Sequence, residues 1–285
     1  MTPIARPLPP FTEKSAMNTA LRTIVLAAAL GATLGAAHAH NAWLLPSTTV
    51  LSKPDTVSVD AAISNDLFVA NHAAMRLDNL LITAPDGSTV KPESEAKLKH
   101  RSVFDVNVGA PGTYRIAVVN AGGFASWKDK ATGQQKRARG TPESLAKEIP
   151  ADAQEVTVTQ SVGRIETFVT VGKPSAPKPI GQGLEMVSTG GAFTDLAKGE
   201  KATFALHIDG QPAKDLEVTV TAGNTQYRDQ LAEVKLKTDD KGQFSVTWPA
   251  AGMYWIDAST KDNKTTMPQA KERRLSYAAT VEVMP

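Results

Sequence analysis

Histidines are the residues best suited to chemistry in this sequence. The chain has five of them and no cysteine, which excludes a disulfide framework and any thiolate metal site. Four lie beyond Ala39: His40, His72, His100 and His207. His40 is the informative one, because Ala37-His38-Ala39 just before it reads as a signal-peptidase site. Cleavage there makes His40 the first residue, with an α-amine and an imidazole on one residue. Those two nitrogens can close a chelate ring on a metal ion. An α-amine in a short peptide titrates at about 7.7–8.0, so it loses its proton more readily than lysine. Imidazole nitrogen suits nickel, copper and zinc. A second imidazole would complete a three-nitrogen set suited to copper(II) or nickel(II). His72 and His100 are the candidates. His72 has Asp66 and Asp78 nearby and is preferred, whereas Lys99 and Arg101 flank His100 with charge that opposes a cation. His207 falls in a later domain and is the least suited.

Other chemistry is weakly represented. Asp195, Glu200, Asp239 and Asp240 are carboxylates near turns, where solvated capping is the ordinary role. Thr189-Gly190-Gly191 lacks the spaced glycines and the Lys-Ser/Thr of a phosphate loop. No Gly-x-Ser-x-Gly elbow occurs. The chain is therefore read as a binding protein and not an enzyme.

The elements that must position these residues begin after an export signal. Arg22 precedes an apolar run from Ile24 to Leu34, followed by small residues ending at Ala39, the pattern of a secretory signal peptide. The run falls short of the roughly 20 apolar residues that a membrane span needs. Residues 1–16 hold four prolines, and translation is expected to start at Met17. No later stretch could cross a membrane, so a periplasmic mature protein is expected. Net charge is +2, with Lys and Arg scattered, which argues against a nucleic-acid partner.

Beyond His40 the chain reads as short alternating strands. Val57, Val59, Ala61 and Ile63 share a face, as do Phe204, Leu206 and Ile208, and Phe244, Val246 and Trp248. Turn signals such as Pro85-Asp86-Gly87, Pro111-Gly112 and Asp239-Asp240-Lys241-Gly242 separate the runs. The expected fold is all-β: two immunoglobulin-like β-sandwich domains in tandem, over 40–172 and 184–285, joined by a proline-rich linker at 173–183. The strands expected in the first domain include Thr113–Asn120, Glu155–Ser161 and Arg164–Val171. The stretch from Gly122 to Ile149 reads as a long, basic loop with Phe124 and Trp127 near its start, containing one short helix at Pro142–Lys147. An internal similarity links the domains. Phe104-x-Val106-x-Val108 leads to Gly112, Tyr114 and Ile116, and Phe244-x-Val246-x-Trp248 leads to Gly252, Tyr254 and Ile256 at the same spacing. Each copy reads as a strand, a turn and a return strand.

His40-Asn-Ala-Trp-Leu-Leu-Pro46 resembles the His-x-x-Trp-Leu-x-Pro opening of a bacterial family labelled NikM-like, a nickel/cobalt-uptake periplasmic component. Gly181 through Leu184-Glu185-Met186-Val187 is similar to that family's junction, although Ser188 stands where a proline is usual. Phe204 through Asp209-Gly210-Gln211-Pro212, the Thr238–Gly242 turn with Phe244, Gly252 and Tyr254, and Leu275-Ser276-Tyr277 also resemble its segments. The resemblance implies a periplasmic location and an association with transition-metal uptake; with the His40 donors, the expected role is to capture nickel, cobalt or copper and hand it to a membrane metal transporter. Two other readings stand beside it. One is an interaction or carbohydrate-binding module that takes no metal and uses Phe124 and Trp127. The other is a copper enzyme with His40 and a second histidine on a redox-active ion.

Overall fold

Alternating apolar residues build strands throughout residues 40–285, the part of the chain that the computed structural model describes. The expected leader 1–39 and the start at Met17 lie outside the described residues. The main strands are β1 (Asn41–Pro46), β2 (Asp55–Ser64), β3 (Leu80–Thr83), β4 (Glu93–Lys97), β5 (Ser102–Val108), β6 (Gly112–Lys128), β7 (Gln135–Gly140), β8 (Gln154–Val171), β9 (Leu184–Ser188), β10 (Lys201–Ile208), β11 (Glu217–Ala222), β12 (Val234–Lys237), β13 (Gln243–Thr247), β14 (Gly252–Asp262) and β15 (Glu272–Val283). A short helix, α1, covers Pro142–Glu148. The protein is mostly β-strand, arranged in several sheets.

The strands form three sheets. The first runs β1-β2-β5-β4, with Ala73–Ala74 also paired to β2. The second runs β12-β11-β14-β15-β8-β6-β3 and continues through Thr89–Val90. The third holds β9, β10, Gln211–Pro212 and β13. The second sheet joins the two halves of the chain, because β8 pairs parallel with β15 from Thr159↔Glu272 to Thr167↔Thr280. Where the sequence suggests two free-standing sandwiches, the halves share this one sheet, and residues 172–183 between them form no strand.

Side-chain alternation gives the shared sheet a core on each face. Val169 and Val171 of β8 pack with Tyr114, Ile116, Val57, Val59 and Phe104, against the first sheet. Phe168 of β8 packs on the opposite face with Phe193, Phe204, Trp248 and Tyr277, against the third sheet. A strand with a sheet over each face has no wet side. Where both faces of β6 and β8 are covered, their polar alternates are buried: Arg115, Arg164, Glu166 and Thr167 are each 6% exposed or less.

Two expectations need correction. Glu155–Ser161 and Arg164–Val171 form one strand, β8, which stays in register through Val162↔Ala121 and Gly163↔Asn120. A Cβ on Gly163 would come 2.9 Å from Ser276 Oγ, so glycine here permits the close approach of β15 and does not end the strand. The stretch from Gly122 to Ile149 is not a loop. β6 runs on to Lys128 and pairs with β7, and α1 follows, with Thr141 Oγ1 capping it at Ser144 N. Trp127 is 7% exposed and packs with Ala125, Leu145, Val158 and Met267 in a small core of its own. It is therefore not an exposed contact residue, while Phe124 is half-buried beneath the Arg139 guanidinium.

Candidate metal centre

The end of β2 organises the candidate site. β1 lies on one side of it, with Asn41 opposite Ser64. Ala73–Ala74 lies against its last pairing positions, with Ala73 opposite Ile63. His40 immediately precedes the first of these segments and His72 the second. Their rings meet face to face, with centroids 3.7 Å apart and planes inclined by 12°. His100, just before β5, places Nδ1 3.0 Å from the His72 carbonyl oxygen. A carbonyl oxygen only accepts, so in the neutral ring Nδ1 of His100 carries the proton and Nε2 keeps its lone pair. The structure thus stacks His40 on His72 and ties His100 to the His72 backbone. His207 stands elsewhere, in β10 opposite Glu185.

Packing behind the histidines fixes the segments that carry them. Trp43 is buried, donates Nε1–H to Ser64 Oγ at 2.7 Å, and meets Phe68 edge-on. Ser64 passes its own hydrogen to the Asp66 carbonyl. Asn71 ties the 65–72 loop to itself, accepting from Asn65 N at 2.9 Å and donating to Asp66 Oδ2 at 2.7 Å. The other half of the chain clamps this loop and β1. Leu67 N donates to Thr225 Oγ1 at 3.0 Å, and Trp255 Nε1 donates to the Ala42 carbonyl at 3.1 Å. Gly223 lets the two halves approach closely here, since a Cβ there would lie 3.0 Å from the Phe68 ring and 3.2 Å from the Met253 carbonyl.

The carboxylates near the site are engaged elsewhere. Asp66 holds Asn71, Asp78 pairs with Arg76 at 2.8 Å, and Asp60 pairs with Arg101 at 3.2 Å. Among the described residues no group of three His, Cys, Asp or Glu side chains is set around a common cation position. A metal held by His40 would need fewer side chains if cleavage after Ala39, expected from the sequence, freed its α-amine as one donor. Stacked rings cannot both direct in-plane lone pairs at one ion, so one ring must turn. Both histidines are exposed, which leaves room for that rotation. With that amine, the donor set would be amine–imidazole–imidazole, the chemistry of a borderline ion such as copper(II) or nickel(II).

A second polar cluster escaped the sequence reading. Glu166 is fully buried, accepts from Tyr277 Oη at 2.6 Å, and faces Arg115 Nε at 3.5 Å and Arg164 Nη1 at 3.8 Å. Burial raises the Glu166 carboxyl above its ordinary range and pushes the Tyr277 phenol well above its own. The available signal was a charged residue inside each alternating run, but alternation assigns such residues to a wet face.

A family profile described as "Domain of unknown function (DUF4198)" matches residues 37–262. A search among curated proteins finds no match. Among solved structures, the D0-D1 domain of Intimin matches at 13% identity over 85% of this chain and 97% of that one, with a TM-score of 0.22. Trypsin-activated alpha-2-macroglobulin from Escherichia coli matches at 13% identity over 87% of this chain and 16% of that one, with a TM-score of 0.22. The FN1-FN3 domains of chicken CNTN1 match at 8% identity over 87% and 99%, with a TM-score of 0.23. Such scores are too low to equate two folds, and no property of these proteins is carried over. Among the described residues no helix is long and apolar enough to cross a membrane.

Proposed function

This chain belongs to the family described as "Domain of unknown function (DUF4198)", and from that footing we propose that it is a periplasmic protein that captures a transition-metal ion, nickel, cobalt or copper, at His40. The observation that carries the reading is the contact between the His40 and His72 rings, 3.7 Å apart, from segments that only the end of β2 brings together. In this reading the α-amine and imidazole of His40 and the imidazole of His72 hold the ion. His100 braces the His72 backbone and keeps Nε2 as a reserve donor. The bound ion is cargo for a membrane metal transporter. Two immunoglobulin-like sandwiches sharing one sheet serve as the rigid support, since precise metal sites need ligands on fixed elements.

The test is calorimetric titration of nickel(II), cobalt(II) and copper(II) into protein beginning at His40, and into protein carrying one methionine ahead of it. The native terminus should bind one ion tightly. The added methionine should weaken binding on the order of a hundredfold or more, at least the effect of losing a supporting group around a metal. His72→Ala should weaken it by about tenfold or more. Identical titrations for all three proteins would overturn the reading. The non-metal interaction or carbohydrate-binding alternative is weakened, because Trp127, one of its two aromatic contacts, is buried.

A further inference from the structure

The core between the first and second sheets ends at Val118 of β6 and Ile165 of β8, yet these two strands stay paired beyond it to Lys128 and Gln154. At this step lies a cleft of about 720 Å³, with half-buried Ile63 and Ile165 among its walls. Past the step, Ala125, Trp127 and Ala138 pack with Leu145 of α1 on one face of the sheet. Alternation turns Phe124 and its register partner Arg139 to the other face, where Arg139 lines the cleft. The Arg139 guanidinium lies over the Phe124 ring, 5.6 Å from its centroid.

Arg139 is the uncommitted charge of the cleft. Arg76 and Asp78, which also line it, neutralise each other at 2.8 Å. Arg139 is exposed, and among the described residues its guanidinium holds no carboxylate or carbonyl. Stacking on the ring fixes the plane of the guanidinium and leaves its N–H edge open, the geometry that matches a carboxylate. Asn79, Asn120 and Ser161 line the same cleft, are exposed, and have side chains with no hydrogen bond among the described residues. Amide and hydroxyl groups together donate and accept, as alcohol groups require. Ile63 and Ile165 offer apolar surface to a carbon skeleton. The volume falls within the roughly 300–1,000 Å³ typical of small-molecule sites. We propose that this cleft binds a small hydroxylated carboxylate of sugar-acid size. Its carboxylate accepts from Arg139, its hydroxyls meet Asn79, Asn120 and Ser161, and its carbons lie on Ile63 and Ile165. The site shares no residue with the histidine cluster and does not depend on a metal.

Calorimetric titration of the protein, freed of metal by dialysis, with glucuronate, glucose and acetate tests this. Glucuronate should bind saturably at one site, about tenfold or more tighter than glucose, which lacks the carboxylate, or acetate, which lacks the hydroxyls. Arg139→Gln should bring glucuronate down to the level of glucose. Ser161→Trp, at an exposed strand position that accepts an aromatic residue, should close the cleft to glucuronate with an unchanged unfolding midpoint. Absence of saturable glucuronate binding, or binding that either variant leaves unaltered, overturns the proposal. Glucose bound as tightly as glucuronate overturns the role of Arg139, and acetate bound as tightly overturns the hydroxyl contacts. No metal enters these titrations, so their outcome stands apart from that of the His40 reading.

Discussion

Asp257 stands on β14 with its carboxyl largely withdrawn from water. Burial, helped by the charge of Glu233, pushes its pKa up to about 6. A carboxyl whose folded pKa exceeds its unfolded value near 3.8 takes up protons on folding, so this group makes the protein less stable as pH rises from about 4 to 6. Asp257→Asn should therefore stabilise the protein at pH 7 by ~1–3 kcal/mol, and the gain should vanish by pH 4. Chemical denaturation of both proteins at the two pH values checks this, and a gain independent of pH would contradict it. At the same scale, the histidines are legible because imidazole beside an expected cleavage site is a chemical signal that needs no fold. The preference for His72 followed from local charge, although the nearby carboxylates prove to be spent on Asn71 and Arg76. The buried Arg115, Arg164 and Glu166 were not legible, since a polar residue in an alternating strand looks the same whether its face meets water or another sheet.

The two Phe-x-Val repeats show what an element can encode. β5 lies in the first sheet and β6 in the second, and β13 lies in the third while β14 lies in the second. Each repeat is therefore an arch from one sheet to another, not the strand and return strand of a hairpin. The shared glycine serves the same backbone need in both, with φ of 120° at Gly112 and 133° at Gly252. The shared tyrosine also serves alike. Tyr114 Oη accepts from Ala110 N at 2.7 Å, and Tyr254 Oη donates to the Ala250 carbonyl at 2.8 Å, each four residues upstream. This contact matches the tyrosine corner of sandwich folds. Tyr114→Phe and Tyr254→Phe should each cost about 1 kcal/mol. The double variant should lose the sum within about 0.5 kcal/mol, as independent sites do. Urea unfolding of the three variants measures this, and a negligible loss in either single variant would show that the corner is incidental. Spacing disclosed the repeat, but which sheet each strand joins depends on pairings distant in sequence.

At the scale of the molecule, residues 40–285 form one compact unit. The parallel pairing of β8 with β15 makes the second half part of the support for the first. Through Thr225 and Trp255 that half reaches the loop and the strand that carry His72 and His40. No local pattern announces such a pairing, because its partners lie more than a hundred residues apart and each strand alone satisfies the same alternation. The proposed function needs this whole arrangement and one chemical fact besides, a free amine on His40. Native mass spectrometry of the protein purified from a bacterial periplasm reads both at once. The mass of residues 40–285 carrying a single transition-metal ion is the predicted result; a chain that begins elsewhere, or one that begins at His40 and stays metal-free when nickel, cobalt and copper are supplied, would contradict it.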